Sequence, residues 1–142
     1  MKTLYFYLAV FAAVFTVSAA NADVTIEMFN KRDDGAKMVY SQDITRIEVG
    51  EIITWIPTSK GHNVEFIAGP DGWKLPKKSK LNKVVEMQFN TPGVYLYQCS
   101  PHKTMGMIAI VVVGDGGDGL SVPGKKIKGK SKKRLKEIMA DL

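Results

Sequence analysis

Two apolar runs, residues 94–98 and 106–113, stand on either side of the short segment Cys99-Ser100-Pro101-His102-Lys103-Thr104-Met105. Both runs are rich in Val, Ile and Tyr and too short for ordinary helices, so they read as neighbouring strands joined by a tight loop at one end of a sheet. Further short segments suit strands: residues 24–30, 38–40, 44–49, 52–56, 64–67 and 84–89. They are broken by turn clusters such as Arg32-Asp33-Asp34-Gly35 and Asn90-Thr91-Pro92-Gly93, and residues 68–82 form a long connection with Gly69, Pro70, Gly72, Pro76 and several lysines. Many short strands divided by Gly, Pro and Asn predict an all-β sandwich.

The ends of the chain differ from this middle. Residues 1–22 have Lys2, an apolar stretch from Leu4 to Val17 and then Ser18-Ala19-Ala20-Asn21-Ala22, the pattern of a signal peptide cut after Ala22 or, with weaker flanks, after Ala20. The apolar stretch is short for a membrane span of about 20 residues. The expected product is exported, with no membrane anchor after cleavage. Residues 23–114 are expected to form the sandwich and residues 115–142 a basic tail. In that tail the stretch 115–124 reads as loop, while Leu135, Ile138, Met139 and Leu142 recur at helical spacing after Ser131, a suitable N-cap. The helix is expected to lay this stripe on the sandwich, its lysines forming a solvated face.

Lys and Arg number 20 against 14 Asp and Glu, a net charge of +6. A basic exported protein suits acidic partners, and no nucleic-acid motif is present. Cys99 is the only cysteine. No internal disulfide is therefore possible, and in an oxidising compartment the thiol needs protection or a use. Taken singly, Cys99 reads as a small buried hydrophobe and each methionine as core filling. Their coincidence is what points further. Cys99 and His102 lie three apart, Met105 and Met107 follow, and His62 is the only other histidine. One thiolate, two imidazoles and a thioether are the ligand set of a blue-copper electron-transfer site. Zinc takes four ligands from Cys, His and carboxylate, a set without thioether. Four protein ligands leave no open position for substrate, so a carrier is expected rather than an enzyme.

At these residues the chain resembles the cupredoxins and, among them, the pseudoazurins. The resemblance rests on Gly61-His62-Asn63-Val64, on Tyr95-Leu96-Tyr97-Gln98-Cys99 and on the spacing Cys-x2-His-x4-Met, which plastocyanins share. It implies a Greek-key β-sandwich with a C-terminal helical tail, usually of two helices, the first made doubtful here by Gly116, Gly117, Gly119 and Pro123. It implies one copper ion held by His62, Cys99, His102 and Met107. Asn63 would tie its loop to Ser100, Pro101 would withhold an N–H from the Cys99 sulfur, and Met38 would pack near the exposed histidine. Partners would dock around His102 on an apolar patch with Met105, ringed by Lys31, Lys60, Lys78, Lys80 and Lys103. Gln98 stands where some members carry a docking lysine. The function so implied is a monomeric periplasmic carrier that meets its partners transiently, taking one electron from a cytochrome c-like donor to an acceptor resembling a copper nitrite reductase. The other reading of the same site is a periplasmic copper-delivery protein.

Overall fold

The computed structural model describes residues 23–117 and 127–142. The expected signal peptide, with both cleavage positions, and residues 118–126 of the tail lie outside the described residues. Among the described residues there are eight strands: β1 (Val24–Lys31), β2 (Lys37–Tyr40), β3 (Ile44–Ile47), β4 (Ile52–Ile56), β5 (Glu65–Ala68), β6 (Val85–Gln88), β7 (Gly93–Gln98) and β8 (Ile108–Val113). One helix, α1 (Lys130–Ala140), follows. The strands form two four-stranded sheets, ordered β2-β1-β4-β6 and β3-β8-β7-β5. The first strand of each half pairs in parallel across the chain, β1 with β4 and β3 with β8, while the other neighbours are antiparallel.

Alternation along the strands assigns each side chain to a layer. Ile26, Met28, Ile53 and Trp55 of the first sheet meet Phe66, Tyr95, Tyr97, Ala109, Val111 and Val113 of the second in one central core. The opposite faces of β7 and β8 are also buried: Val94, Leu96, Ile108, Ile110 and Val112 pack under Leu135 and Ile138 of α1. Burial on two faces explains why β8 is apolar at every position instead of alternating. Aromatic rings fill the middle of the sandwich, with Trp55 edge-on to Tyr97 at 5.5 Å and to Phe66 at 5.8 Å between centroids.

The tail departs from expectation in two respects. Ser131 does not cap the helix. Gly129 holds the N-cap position at φ 62°, and Ser131 lies inside the first turn, buried, with no hydrogen-bond partner for its hydroxyl. The buried stripe is Ser131, Leu135 and Ile138, whereas Met139 and Leu142 are exposed. Spacings of four and three residues keep one helix face toward the sheet, and Met139 is turned off that face. Arg134 fastens the helix through Asp43 at 2.6 Å, and Arg46 donates to the carbonyl of Leu142 at 3.2 Å. Gly116 and Gly117 take positive φ in a turn after β8, and the rest of the doubtful first helix falls within residues 118–126. Among the described residues no helix is long and apolar enough to cross a membrane.

Candidate metal centre

The β7–β8 ladder determines where Cys99 sits. Its N–H donates to the carbonyl of Met107 at 3.0 Å, which continues the ladder one rung past the strand ends. The chain then reverses in two tight steps. A 3-10 turn covers Ser100–His102, with Pro101 at its start, where a fixed φ and a missing N–H cost nothing. The His102 N–H donates to the Cys99 carbonyl at 3.0 Å and the Met105 N–H to the His102 carbonyl at 2.9 Å. Gly106 completes the reversal at φ 105°, a backbone conformation that favours glycine.

His62 arrives on the loop between β4 and β5. Asn82, from the long connection, grips this loop twice: its side-chain oxygen accepts from the Gly61 N–H at 2.6 Å and its own N–H donates to the His62 carbonyl at 2.9 Å. Ser79 does the same one step further on, exchanging hydrogen bonds with the backbone of Val64 at 2.9 Å. Asn82 holds φ 59°, which asparagine tolerates better than most residues.

These two loops bring three donor atoms together. Cys99 Sγ lies 3.4 Å from His102 Nδ1 and 3.7 Å from His62 Nδ1. The Cys99, His62 and His102 ligand atoms all lie within 4.8 Å of one another. The imidazole centroids are 4.9 Å apart, tilted by 57°. The far nitrogen of His62, Nε2, is 2.9 Å from the side-chain oxygen of Asn30. An amide oxygen only accepts, so Nε2 carries the proton and the Nδ1 lone pair faces the sulfur. Holding the second ring nitrogen in this way is the usual support of a metal-binding histidine.

Burial explains the protonation states. It pushes His62 down to about 4, helped by the nearby charge of His102, and it lowers His102 as well. Both rings are therefore neutral near pH 7 and offer lone pairs. Burial pushes the Cys99 thiol up, partly offset by the backbone N–H groups of Asn63 and His102. The cavity so assembled has two neutral bases and a thiol that ionises easily only beside a cation. The donor set fits a soft metal ion. Met107 is fully buried in the same apolar cluster as Cys99, whereas Met105 is 48% exposed.

Around the donors lies a connected polar network. Asn63 accepts from the Ser100 N–H at 2.8 Å and donates to Ser100 Oγ at 3.1 Å, and the Tyr40 hydroxyl donates to the Asn63 carbonyl at 3.0 Å. Ser100 Oγ donates in turn to Glu65 at 2.9 Å. Gln98 is buried and its amide donates to the same carboxylate at 3.0 Å. The position expected to matter for docking is thus buried on the outer face of β7, the face of Val94 and Leu96, where Glu65 opposite it on β5 is its partner. Met38 is half-buried against the central core at φ 52°. Pro101 is exposed.

Lys31, Lys60, Lys78, Lys80 and Lys103 are all exposed. Lys78, Lys80 and Lys103 line one groove with Asn63, Ser100 and Pro101. Met105 opens instead on a different groove, between β2 and α1, with Lys37 and Lys130. Asn30, Asn82, Ser79 and Glu65 are site residues that motif reading misses. Asn82 alone carried a local signal, as an asparagine in a polar turn.

The chain matches the copper-binding proteins of the plastocyanin/azurin family over residues 26–114. It is 39% identical to a pseudoazurin of Methylorubrum extorquens, over 89% of this chain and 86% of that protein. A pseudoazurin of Paracoccus pantotrophus is 35% identical, over 92% of each chain. Among solved structures, a pseudoazurin from Sinorhizobium meliloti superposes with a TM-score of 0.76 at 36% identity, over 84% of this chain and 94% of that one.

Proposed function

Because the chain belongs to the plastocyanin/azurin family of copper-binding proteins, and within it to the pseudoazurins, we propose that it is an exported one-electron carrier whose copper is held by His62, Cys99, His102 and Met107. The observation that carries this reading is the convergence of two neutral imidazole nitrogens on one buried sulfur, at 3.4 and 3.7 Å. When bound, the copper ion supplies a reversible one-electron couple.

The protein's part is to keep the donors still. The Cys99 amide is tied to Met107, Asn63 locks Ser100, Asn82 holds the turn before His62, and Asn30 orients its ring. Donors that cannot relax toward a different geometry in each oxidation state keep the reorganisation small, and electron transfer is fast for that reason. Of the two histidines, His62 is fully buried and His102 partly exposed, so the His102 ring is the contact for a redox partner. The exposed lysines suit an acidic partner that docks transiently, with association accelerated by charge. A cytochrome c-type donor and an acceptor of the copper nitrite reductase type are the partners we assign, in the periplasm, once residues 1–22 have been removed.

Titrating the purified chain with cupric salt tests the reading. One equivalent is expected to produce an intense visible thiolate-to-copper band that ascorbate bleaches and reoxidation restores. Cys99→Ser is expected to abolish the band. A colourless wild-type complex overturns the proposal, and coloured binding without reversible redox turnover favours copper delivery.

A further inference from the structure

The N-terminus of α1 touches the loop between Cys99 and Met107. The Lys130 N–H, the first of the helix, donates to the carbonyl of Thr104 at 3.0 Å. Gly129 is at φ 62°, and a Cβ there would stand 2.6 Å from the same carbonyl oxygen. A Cβ on Gly106 would lie 3.7 Å from Lys130 Cβ, so the helix start also lies against the chain two residues beyond Thr104. The first N–H groups of a helix have no partner within it. Here one of them is spent on the loop that supplies His102, and only a glycine admits so close an approach.

We propose that the first turn of α1 is a clamp on the loop carrying Cys99 and His102, with Gly129 and the Lys130 amide as positioning groups for electron transfer. The opposite side of this loop is already held by Asn63, through Ser100. Residues 103–106, by contrast, are exposed at every position but Gly106 and have no strand neighbour of their own. The clamp fixes that half from outside. Its far end is anchored by Leu135 and Ile138 on the sheet and by Arg134 on Asp43. The rigidity of the core thereby reaches the most exposed donor. This role rests on the carrier reading for its purpose, though not for its detection.

Lys130→Pro separates the clamp from the helix, since proline is well accommodated at the first helical position and removes the N–H together with the side-chain charge. Lys130→Ala keeps the N–H and removes the charge. Hydrogen–deuterium exchange at the amides of Met105, Gly106 and Met107 is the direct readout, in the metal-free and copper-loaded chain alike. Lys130→Pro and Gly129→Ala are each expected to speed exchange there about fivefold, the ratio one ordinary hydrogen bond is worth, with β7 and β8 amides unchanged. Lys130→Ala is expected to match wild type. In the copper-loaded chain the self-exchange rate is expected to fall severalfold in Lys130→Pro and to hold in Lys130→Ala. Unchanged loop exchange in both Lys130→Pro and Gly129→Ala overturns the clamp, even where the copper band is intact. Equal effects of Lys130→Pro and Lys130→Ala overturn it in favour of a charge effect.

Discussion

His62 shows how burial turns an ordinary side chain into a ligand. Its ring is held neutral by desolvation, down to about 4 from an ordinary 6.5. Below pH 6.5 the unfolded chain takes up a proton that the folded chain refuses, so the stability due to His62 falls as pH drops from about 6.5 toward 4 and is fully present above that range. The metal-free chain is expected to lose a few kcal/mol, at most about 3, across this interval. Urea titrations at pH 7 and pH 4.5 measure it, and a His62→Gln variant is expected to show a flatter profile. The donors themselves are legible in the sequence, because thiolate, imidazole and thioether gather within nine residues from Cys99 to Met107. Asn30 is not. Nothing near it in sequence hints that its amide meets a ring 32 residues away, since that contact exists only once β1 lies beside the β4–β5 loop.

The strands β7 and β8 carry the site because they carry the core. Each is buried on both faces, inward by the facing sheet and outward by α1. The helix is thus part of the scaffold, and its removal would uncover Ile108, Ile110 and Val112. Ile138 is 3% exposed, and Ile138→Ala is expected to cost about 2–5 kcal/mol in denaturant unfolding while leaving the copper band in place. The apolar runs marked these strands correctly, and the helical spacing of Leu135 and Ile138 marked α1. The cap was misplaced at Ser131 for a tertiary reason. A serine side chain suits a free helix start, but this start abuts the Thr104 carbonyl, and the close approach selects Gly129.

Across the whole molecule the net charge of +6 is unevenly useful. Part of it is neutralised locally, as where Arg32 and Arg134 share Asp43. Lys78, Lys80 and Lys103 instead gather along a groove that includes Ser100 and Pro101, next to the donor loop. Reversing charge there, or at exposed Lys60, is expected to slow transfer to an acidic partner at low salt and to matter less as screening grows, since the Debye length shrinks to about 8 Å near physiological ionic strength. Stopped-flow rates for Lys78→Glu and Lys60→Glu across a salt series decide it, and rates independent of ionic strength would exclude steering.

Composition, strand-length apolar runs and the spacing from Cys99 to Met107 were enough to determine a sandwich with a soft-metal donor set, because these are local properties that the chain carries in any conformation. The resemblance pointed to Met107 as the inner methionine, but which polar side chains hold the rings and which glycine meets the helix were decided only by tertiary structure. Each depends on segments tens of residues apart arriving within hydrogen-bond distance, and packing alone selects among the alternatives that local sequence leaves equivalent.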